Sequence, residues 1–305
     1  MISTMVKNTR YYKPSGGYSK AFFWYCLLLL AVDIPVLSVG YVYLEHYINI
    51  VQLNFLITAS CGVAIGGIMY YMVKSCKVRN PAIVLVCIVI AVCVFEYIQL
   101  CIFVSLIFNI SPFELLFSPG TVFEGMSKIY EKGTWCIGKR CHISRDNVSG
   151  IILLIVWIME FIIIASCAIV LPLLKSKSPF SEMADSWYAK MNSQIKIDMP
   201  ENFDDLKNNM ENGNFTELIR LVKEKKAIGR CFLRLALYEP PLSEEPYYLV
   251  LERITLDERN KVKKAKTLVK YLSIDKQSAM EIIQTVPLIP NSSSIFKRIL
   301  QKFQK

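Results

Sequence analysis

Histidine and the short signatures of catalysis are what this 305-residue chain most clearly lacks. Only His46 and His142 occur, and neither lies beyond residue 174, so imidazole-based chemistry is excluded from the long C-terminal part. No glycine-rich phosphate loop, no His-Glu-x-x-His and no Gly-x-Ser-x-Gly is present. The sequence therefore predicts no enzyme, no catalytic residue and no cofactor.

Charge is also nearly absent from four apolar windows. Although 53% of the residues are hydrophobic, 20% are charged, so the charges are concentrated elsewhere. A helix rises about 1.5 Å per residue, so each window is long enough to cross a hydrocarbon core of roughly 30 Å. The sequence predicts a membrane all-α bundle of four transmembrane helices followed by a small α+β domain. The predicted parts are a cytosolic segment 1–20, spans 21–44, 53–73, 82–108 and 150–174, an external loop 109–149 and a cytosolic domain 175–305.

The distribution of Lys and Arg predicts the orientation, because cytosolic loops carry the excess of these residues. Four basic residues precede the first window, three lie between the second and third, and none lies between the first and second. Both termini are therefore predicted to be cytosolic, in the inner (plasma) membrane. A cleaved signal peptide is the alternative for the first window, but the apolar stretch continues past Asp33 to Leu44, which favours a span.

Three acidic residues, Asp33, Glu96 and Glu160, fall well inside the windows. Similar spacing from the cytosolic ends predicts similar depths near the midplane. A charged side chain there costs roughly 2.5–3.5 kcal/mol, and the windows contain no Lys or Arg as a partner. The sequence favours protonated acids that bond to one another or to Gln99 and hold the bundle together. A proton or cation path and contact with another membrane subunit are the alternatives.

The second window contains small residues at helical spacing. Gly62, Gly66 and Gly67 predict a helix face that packs closely on a neighbour. In the first window, Asp33-Ile-Pro35 predicts a kink, because proline has no backbone N–H to donate.

Of the ten cysteines, only Cys136 and Cys141 are predicted to be external. Their close spacing favours a disulfide that closes a tight turn. Two free thiols are the alternative. A metal site formed with His142 would have too few ligands, so no metal is predicted.

The predicted domain 175–305 has a mixed pattern of helices and strands. Alternation in the third predicted strand places Val269 and Tyr271 on one face. The predicted elements are a helix over residues 202–211, a helix capped by Asn214, strands over 232–238, 247–256 and up to Leu272, and a helix capped by Asp275.

A basic amphipathic helix is predicted at the C-terminus, with Lys297, Arg298 and Lys302 opposite an apolar side. It either packs on its own domain, which the sequence favours, or lies on an anionic inner leaflet. The domain has 23 basic and 17 acidic residues. Lysines on a strand are usually solvated or protect an edge, so lipid is favoured over nucleic acid as the partner.

The first 100 or so residues carry a resemblance. Residues 47–58, the span with Gly62 and Gly66, and Lys77-Val-Arg-Asn-Pro81 resemble a group of uncharacterised bacterial multi-span membrane proteins. Tyr12-Lys-Pro-Ser-Gly16 is similar to their N-terminal Tyr-x-Pro-Ser-Gly. The resemblance implies a bacterial inner membrane and carries no activity and no functional residue.

These features lead to two functional hypotheses. The first is a non-enzymatic scaffold or subunit that works in a homo-oligomer or a membrane complex, with the cytosolic domain docking a partner. The alternative is a small ion or proton channel or transporter that uses the intramembrane carboxyls.

Overall fold

The structure, a computed structural model, describes residues 10–48, 51–133, 148–193, 196–224, 229–285 and 288–290. It divides into two compact units. The helical unit is Ser15–Lys177, and the α/β unit combines the chain up to Pro14 with the chain from Ser178 onward. Residues 10–14, part of the segment 1–20 that the sequence predicts to be cytosolic, therefore belong to the α/β unit.

In the part of the chain that the structure describes, four helices are long and apolar enough to cross a membrane. The chain thus has the composition of a multi-pass membrane protein with an added α/β region, which confirms the four-span prediction at this level. The first span continues past the predicted end at Leu44 and takes Glu45 into the helix. The four helices are Ala21–Tyr47, Leu53–Ser75, Pro81–Phe108 and Ile151–Ser176.

The first span changes helix type midway. Helix α1 (Ala21–Leu28) leads into a π-helical turn, Leu29–Asp33, and α2 (Ile34–Tyr47) follows. Pro35 lies in the first turn of α2 and has no N–H for the carbonyl four residues earlier. That carbonyl belongs to the π-helical turn, so the irregularity lies on the N-terminal side of the proline.

An asparagine lies at each end of the third span and sets where that helix begins and ends. The Asn80 side chain accepts from the N–H groups of Ala82 and Ile83 at 3.1 Å, which begins the third span. Asn109 ends it in the left-handed conformation, with φ at 54°. The helices are α3 (Val51–Ser75), α4 (Pro81–Phe108), α5 (Pro112–Leu116), α6 (Pro119–Lys132) and α7 (Ile151–Ser176).

Helices α3 and α7 come together at two glycines. A Cβ atom on Gly62 would lie 2.7 Å from the carbonyl oxygen of Ile164, and one on Gly66 would lie 2.8 Å from that of Ala168. Helix backbone cannot move aside, so these two positions need glycine. A Cβ atom on Gly67 would lie more than 4 Å from the neighbouring atoms of the described chain, so Gly67 takes no part in this contact.

The α/β unit is built on an antiparallel sheet with the strand order β7-β6-β5-β3-β8. Strand β4 pairs with β5 beyond the end of β3, and β1 and β2 form a separate pair. The strands are β1 (Phe180–Ser181), β2 (Ser186–Trp187), β3 (Ala189–Ser193), β4 (Ile197–Asp198), β5 (Cys231–Glu239), β6 (Tyr247–Leu256), β7 (Val262–Ile274) and β8 (Leu288–Pro290). The helices are α8 (Phe203–Glu211), α9 (Thr216–Glu224) and α10 (Lys276–Thr285).

One face of the sheet packs against the three helices. Leu233, Leu235 and Leu237 of β5 are fully buried in a core with side chains such as Leu218 and Ile282. Each fully buried leucine or isoleucine contributes about 1.5–3 kcal/mol relative to exposure. The predicted strands correspond to β5, β6 and β7, and the predicted helices to α8, α9 and α10.

Side-chain caps begin two of these helices as predicted. The Asn214 side chain accepts from the N–H of Thr216 at 3.1 Å, and Asp275 accepts from the N–H of Ser278 at 2.8 Å. Each cap satisfies an N–H that has no partner within its own helix.

The N-terminal segment extends the sheet beyond β7. The N–H of Tyr12 donates to the carbonyl of Tyr271 at 2.9 Å, and the N–H of Ser273 donates to the carbonyl of Arg10 at 2.7 Å. Tyr271 is an extra residue in β7, with φ at 59°. The bulge turns Tyr271 away from the core that holds Val269, so the prediction that these two share a face is wrong.

Candidate intramembrane carboxyl site

The site begins on α2, where residues three or four apart share one face of the helix. Ser38, Tyr41 and Glu45 follow this spacing. The Ser38 hydroxyl donates to the carbonyl of Ile34 at 2.9 Å, and the buried Tyr41 ring packs edge-on against Phe95 of α4 at 5.6 Å. Tyr41 is thereby fixed between the first and third spans.

The Tyr41 hydroxyl lies between two polar groups. It is 3.3 Å from Oε1 of Glu45 and 3.3 Å from Oγ1 of Thr58 on α3. The Thr58 hydroxyl donates to the carbonyl of Asn54 at 2.8 Å, so its own hydrogen is already used. Tyr41 has one hydrogen, and it donates either to Thr58 or to Glu45.

These two arrangements correspond to two protonation states of Glu45. When Glu45 holds a proton, Tyr41 is free to donate to Thr58. When Glu45 is ionised, it can only accept, and Tyr41 turns its hydrogen toward it. The hydroxyl pair therefore accommodates both states of the carboxyl.

The carboxyls of Glu45 on α2 and Glu160 on α7 lie close enough to interact directly. Two ionised carboxylates at close range repel each other, because both are negative and neither can donate a hydrogen bond. The arrangement therefore favours one proton shared by Glu45 and Glu160 over two ionised carboxylates. Among the described residues, no Lys or Arg is paired with either of them.

Glu96 on α4 is the third carboxyl of the site. Gln99 donates from Nε2 to Oε2 of Glu96 at 2.5 Å, while Oε1 of Glu96 is buried and has no partner in the described chain. Glu96 interacts electrostatically with both Glu45 and Glu160. The first, third and fourth spans thus each bring one glutamate to this site, and the second span brings Thr58.

The structure includes some of the predicted intramembrane residues in the site and leaves one out. Glu96, Gln99 and Glu160 belong to it. Asp33 does not: it ends the π-helical turn, half-buried, and makes no hydrogen bond or ion pair within the described part of the chain. Twelve residues of helix, roughly 18 Å, separate it from Glu45 along the first span.

Sequence reasoning missed Glu45, Tyr41 and Thr58. Glu45 follows the last residue of an apolar window and reads as part of a loop. The usable signal was spacing, because Tyr41 and Glu45 are four residues apart, as are Asn54 and Thr58 at the facing end of the second span.

Other predicted sites can be located only in part. The Cys136–Cys141 bridge and the basic helix with Lys297, Arg298 and Lys302 lie outside the described residues. The eight cysteines that the structure describes are free thiols. Within the same residues, no group of three His, Cys, Asp or Glu side chains is arranged to hold a metal ion.

Comparison with known proteins gives no relative. No family model, no curated protein and no solved structure matches the chain significantly.

Proposed function

We propose that the protein binds and releases protons inside the bilayer at the Glu45–Glu160 pair, as a small proton channel or transporter. The observation that carries the proposal is the direct approach of two carboxyls on different spans, with no Lys or Arg of the described residues paired to either. Like charges at close range disfavour double ionisation, so such a pair holds one proton and exchanges it. Ionisable groups within spans are rare where the spans serve only to anchor.

The surrounding groups supply a route for that proton. The Tyr41 hydroxyl can donate either to Glu45 of the first span or to Thr58 of the second. It thereby connects the hydrogen bonds of the two spans. Glu96, which has a buried oxygen free to accept, is the next carboxyl toward the predicted cytosolic end. We propose that protons pass between the pair and Glu96.

Proton flux into liposomes tests the proposal. Wild-type protein should move protons when a pH gradient and a compensating ion current are imposed. Glu45→Gln and Glu160→Gln should each reduce the proton flux at least tenfold, because an amide side chain does not release a proton in water. Asp33→Asn is the matched control, since Asp33 lies in a span but outside the site, and its flux should match the wild type.

Two results would overturn this function. One is a wild-type flux no higher than that of empty liposomes. The other is a flux that survives in the double Gln variant. Infrared spectra recorded against pH give a separate reading, because the double variant should lose a protonated-carboxyl band that changes with pH in the wild type.

A second function, that of a scaffold or subunit without enzymatic activity, is favoured by the independence of the α/β unit. This unit has its own core and its own sheet. We propose that it lies in the cytosol, with both termini on that side of a bacterial inner membrane, and docks a protein partner there. Co-purification of a stoichiometric partner in mild detergent supports docking. A C-terminal reporter active only outside the cytosol contradicts the placement.

A further inference from the structure

The hairpin formed by β6 and β7 pairs two like charges directly. Arg253 of β6 and Lys266 of β7 are register partners, and Lys264 lies two residues along on the same face, opposite Thr255. Directly opposed side chains have Cβ atoms about 4.5–5.5 Å apart, and like charges there destabilise the sheet. Among the described residues, none of the three cations has an ion-pair partner.

The same sheet also contains a pair of register partners with opposite charges, which stabilises the sheet. Arg234 of β5 and Glu252 of β6 are register partners as well, and their side chains form an ion pair of 2.5 Å. The repulsive pair lies one residue further along β6. A repulsive pair next to a matched pair is the arrangement expected where a bound ligand supplies the negative charge that the described residues do not.

Protection of a sheet edge explains only part of the pattern. Strand β7 is the edge strand where the N-terminal segment does not cover it, and lysines there discourage pairing with other chains. Arg253, however, lies on β6, which is paired on both sides. An inner-strand cation facing the edge lysine adds nothing to edge protection, so the cluster of three cations needs another explanation.

We propose that Arg253, Lys264 and Lys266 bind anionic phospholipid headgroups at the surface of the membrane that the chain itself spans. Lys264 and Lys266 are exposed, and phosphate is the negative group that clustered Lys and Arg side chains bind most readily. The α/β unit is attached through three residues between the end of α7 at Ser176 and the start of β1 at Phe180. A link of at most about 14 Å keeps lipid headgroups at high local concentration.

Hydrogen exchange of full-length protein in nanodiscs tests this directly. Two nanodisc compositions are compared, phosphatidylcholine alone and phosphatidylcholine with phosphatidylglycerol. Backbone amides of residues 253–266 should exchange more slowly in the anionic discs, and added salt should remove the difference. Neutralising one cation with Gln should weaken the protection about fivefold, the effect of one basic residue near an anionic surface.

Control variants separate lipid binding from folding. The triple variant R253Q/K264Q/K266Q relieves a repulsion, so it should fold and lose the lipid-dependent protection. Arg234→Gln removes a cation from the same sheet that already has a partner, and it should keep the protection. Equal exchange in both discs, or protection that persists in the triple variant, overturns the proposal. Protection that requires an added oligonucleotide in zwitterionic discs also overturns it, in favour of nucleic acid.

Discussion

The hydroxyl of Tyr11 donates a hydrogen bond of 2.6 Å to Oε1 of Glu211, across 200 positions of sequence. This hydrogen bond connects the N-terminal segment to the last residue of α8 in the α/β unit. Burial, and then the bond to Glu211 and its negative charge, raise the pKa of Tyr11 above its usual value of 10.0. Folding therefore stabilises the neutral form of this tyrosine.

Replacing Tyr11 with Phe keeps the ring and removes the bond. The free energy of unfolding of the α/β unit should fall by about 1 kcal/mol, since Tyr11 is half-buried and its partner is charged. Thermal unfolding of full-length protein in detergent, followed by circular dichroism of the strands, measures this. Tyr18→Phe is the control, because the Tyr18 hydroxyl makes no described hydrogen bond. Equal midpoints for the two variants would contradict the expected role of the bond.

The same bond predicts a dependence on pH. A tyrosine whose pKa is raised by folding contributes stability fully below about pH 10 and loses it as the pH rises toward the folded value. Burial raises the pKa of Tyr188, Tyr238 and Tyr248 in the same direction, so they add to the slope. Unfolding curves from pH 8 to about pH 11 should be steeper in pH for the wild type than for Tyr11→Phe. Parallel curves would show that Glu211 does not hold the neutral hydroxyl.

The two glycines of α3 give a prediction with an internal control. Gly62→Ala or Gly66→Ala should lower the stability of the helical unit by about 1–3 kcal/mol, because the new methyl group meets the backbone of α7. Gly67→Ala should be neutral or slightly stabilising, since its position is open and alanine favours helix. Thermal inactivation in detergent ranks the three variants. A Gly67 variant as unstable as the others would mean that helix propensity, and not packing, governs this region.

Reversing one charge of the repulsive pair should stabilise the sheet. Lys266→Glu places a carboxylate opposite Arg253 and should raise the free energy of unfolding by about 0.2–1 kcal/mol. Glu252→Lys should lower it, because it breaks the ion pair with Arg234. Urea unfolding of full-length protein in detergent compares them. A stabilising effect that persists in molar salt would argue against an electrostatic origin.

Sequence patterns predicted the elements whose signal is local. Spans follow from apolar length alone, β5 follows from the alternation of Leu233, Leu235 and Leu237, and β6 follows from its richness in strand-forming residues. The caps at Asn214 and Asp275 depend on a few neighbouring residues, so they too were predictable. Strands β3 and β4 were not, since they are short and β5 supplies their register.

The candidate site was only half predictable for the same reason. Glu96 and Glu160 stand out as acids within apolar windows, but so does Asp33, and depth in a span does not reveal which side of the helix a residue faces. The place of Glu45 in the site could not be predicted, because the sequence did not reveal that the first helix continues past its apolar window. Which carboxyls meet is decided by the packing of α2, α4 and α7, and no single window contains that information.

The strand pairing made by Arg10 and Tyr12 constrains the order of biosynthesis. These residues complete a sheet whose other strands are translated only after Ile151–Ser176. The pairing needs both parts of the chain on the same side of a bilayer, and an even number of spans, such as the four candidates among the described residues, satisfies this requirement. We therefore expect the edge at β7 to close only after the intervening helices have been inserted. A chain that left one helix outside the bilayer would strand its first residues on the wrong side.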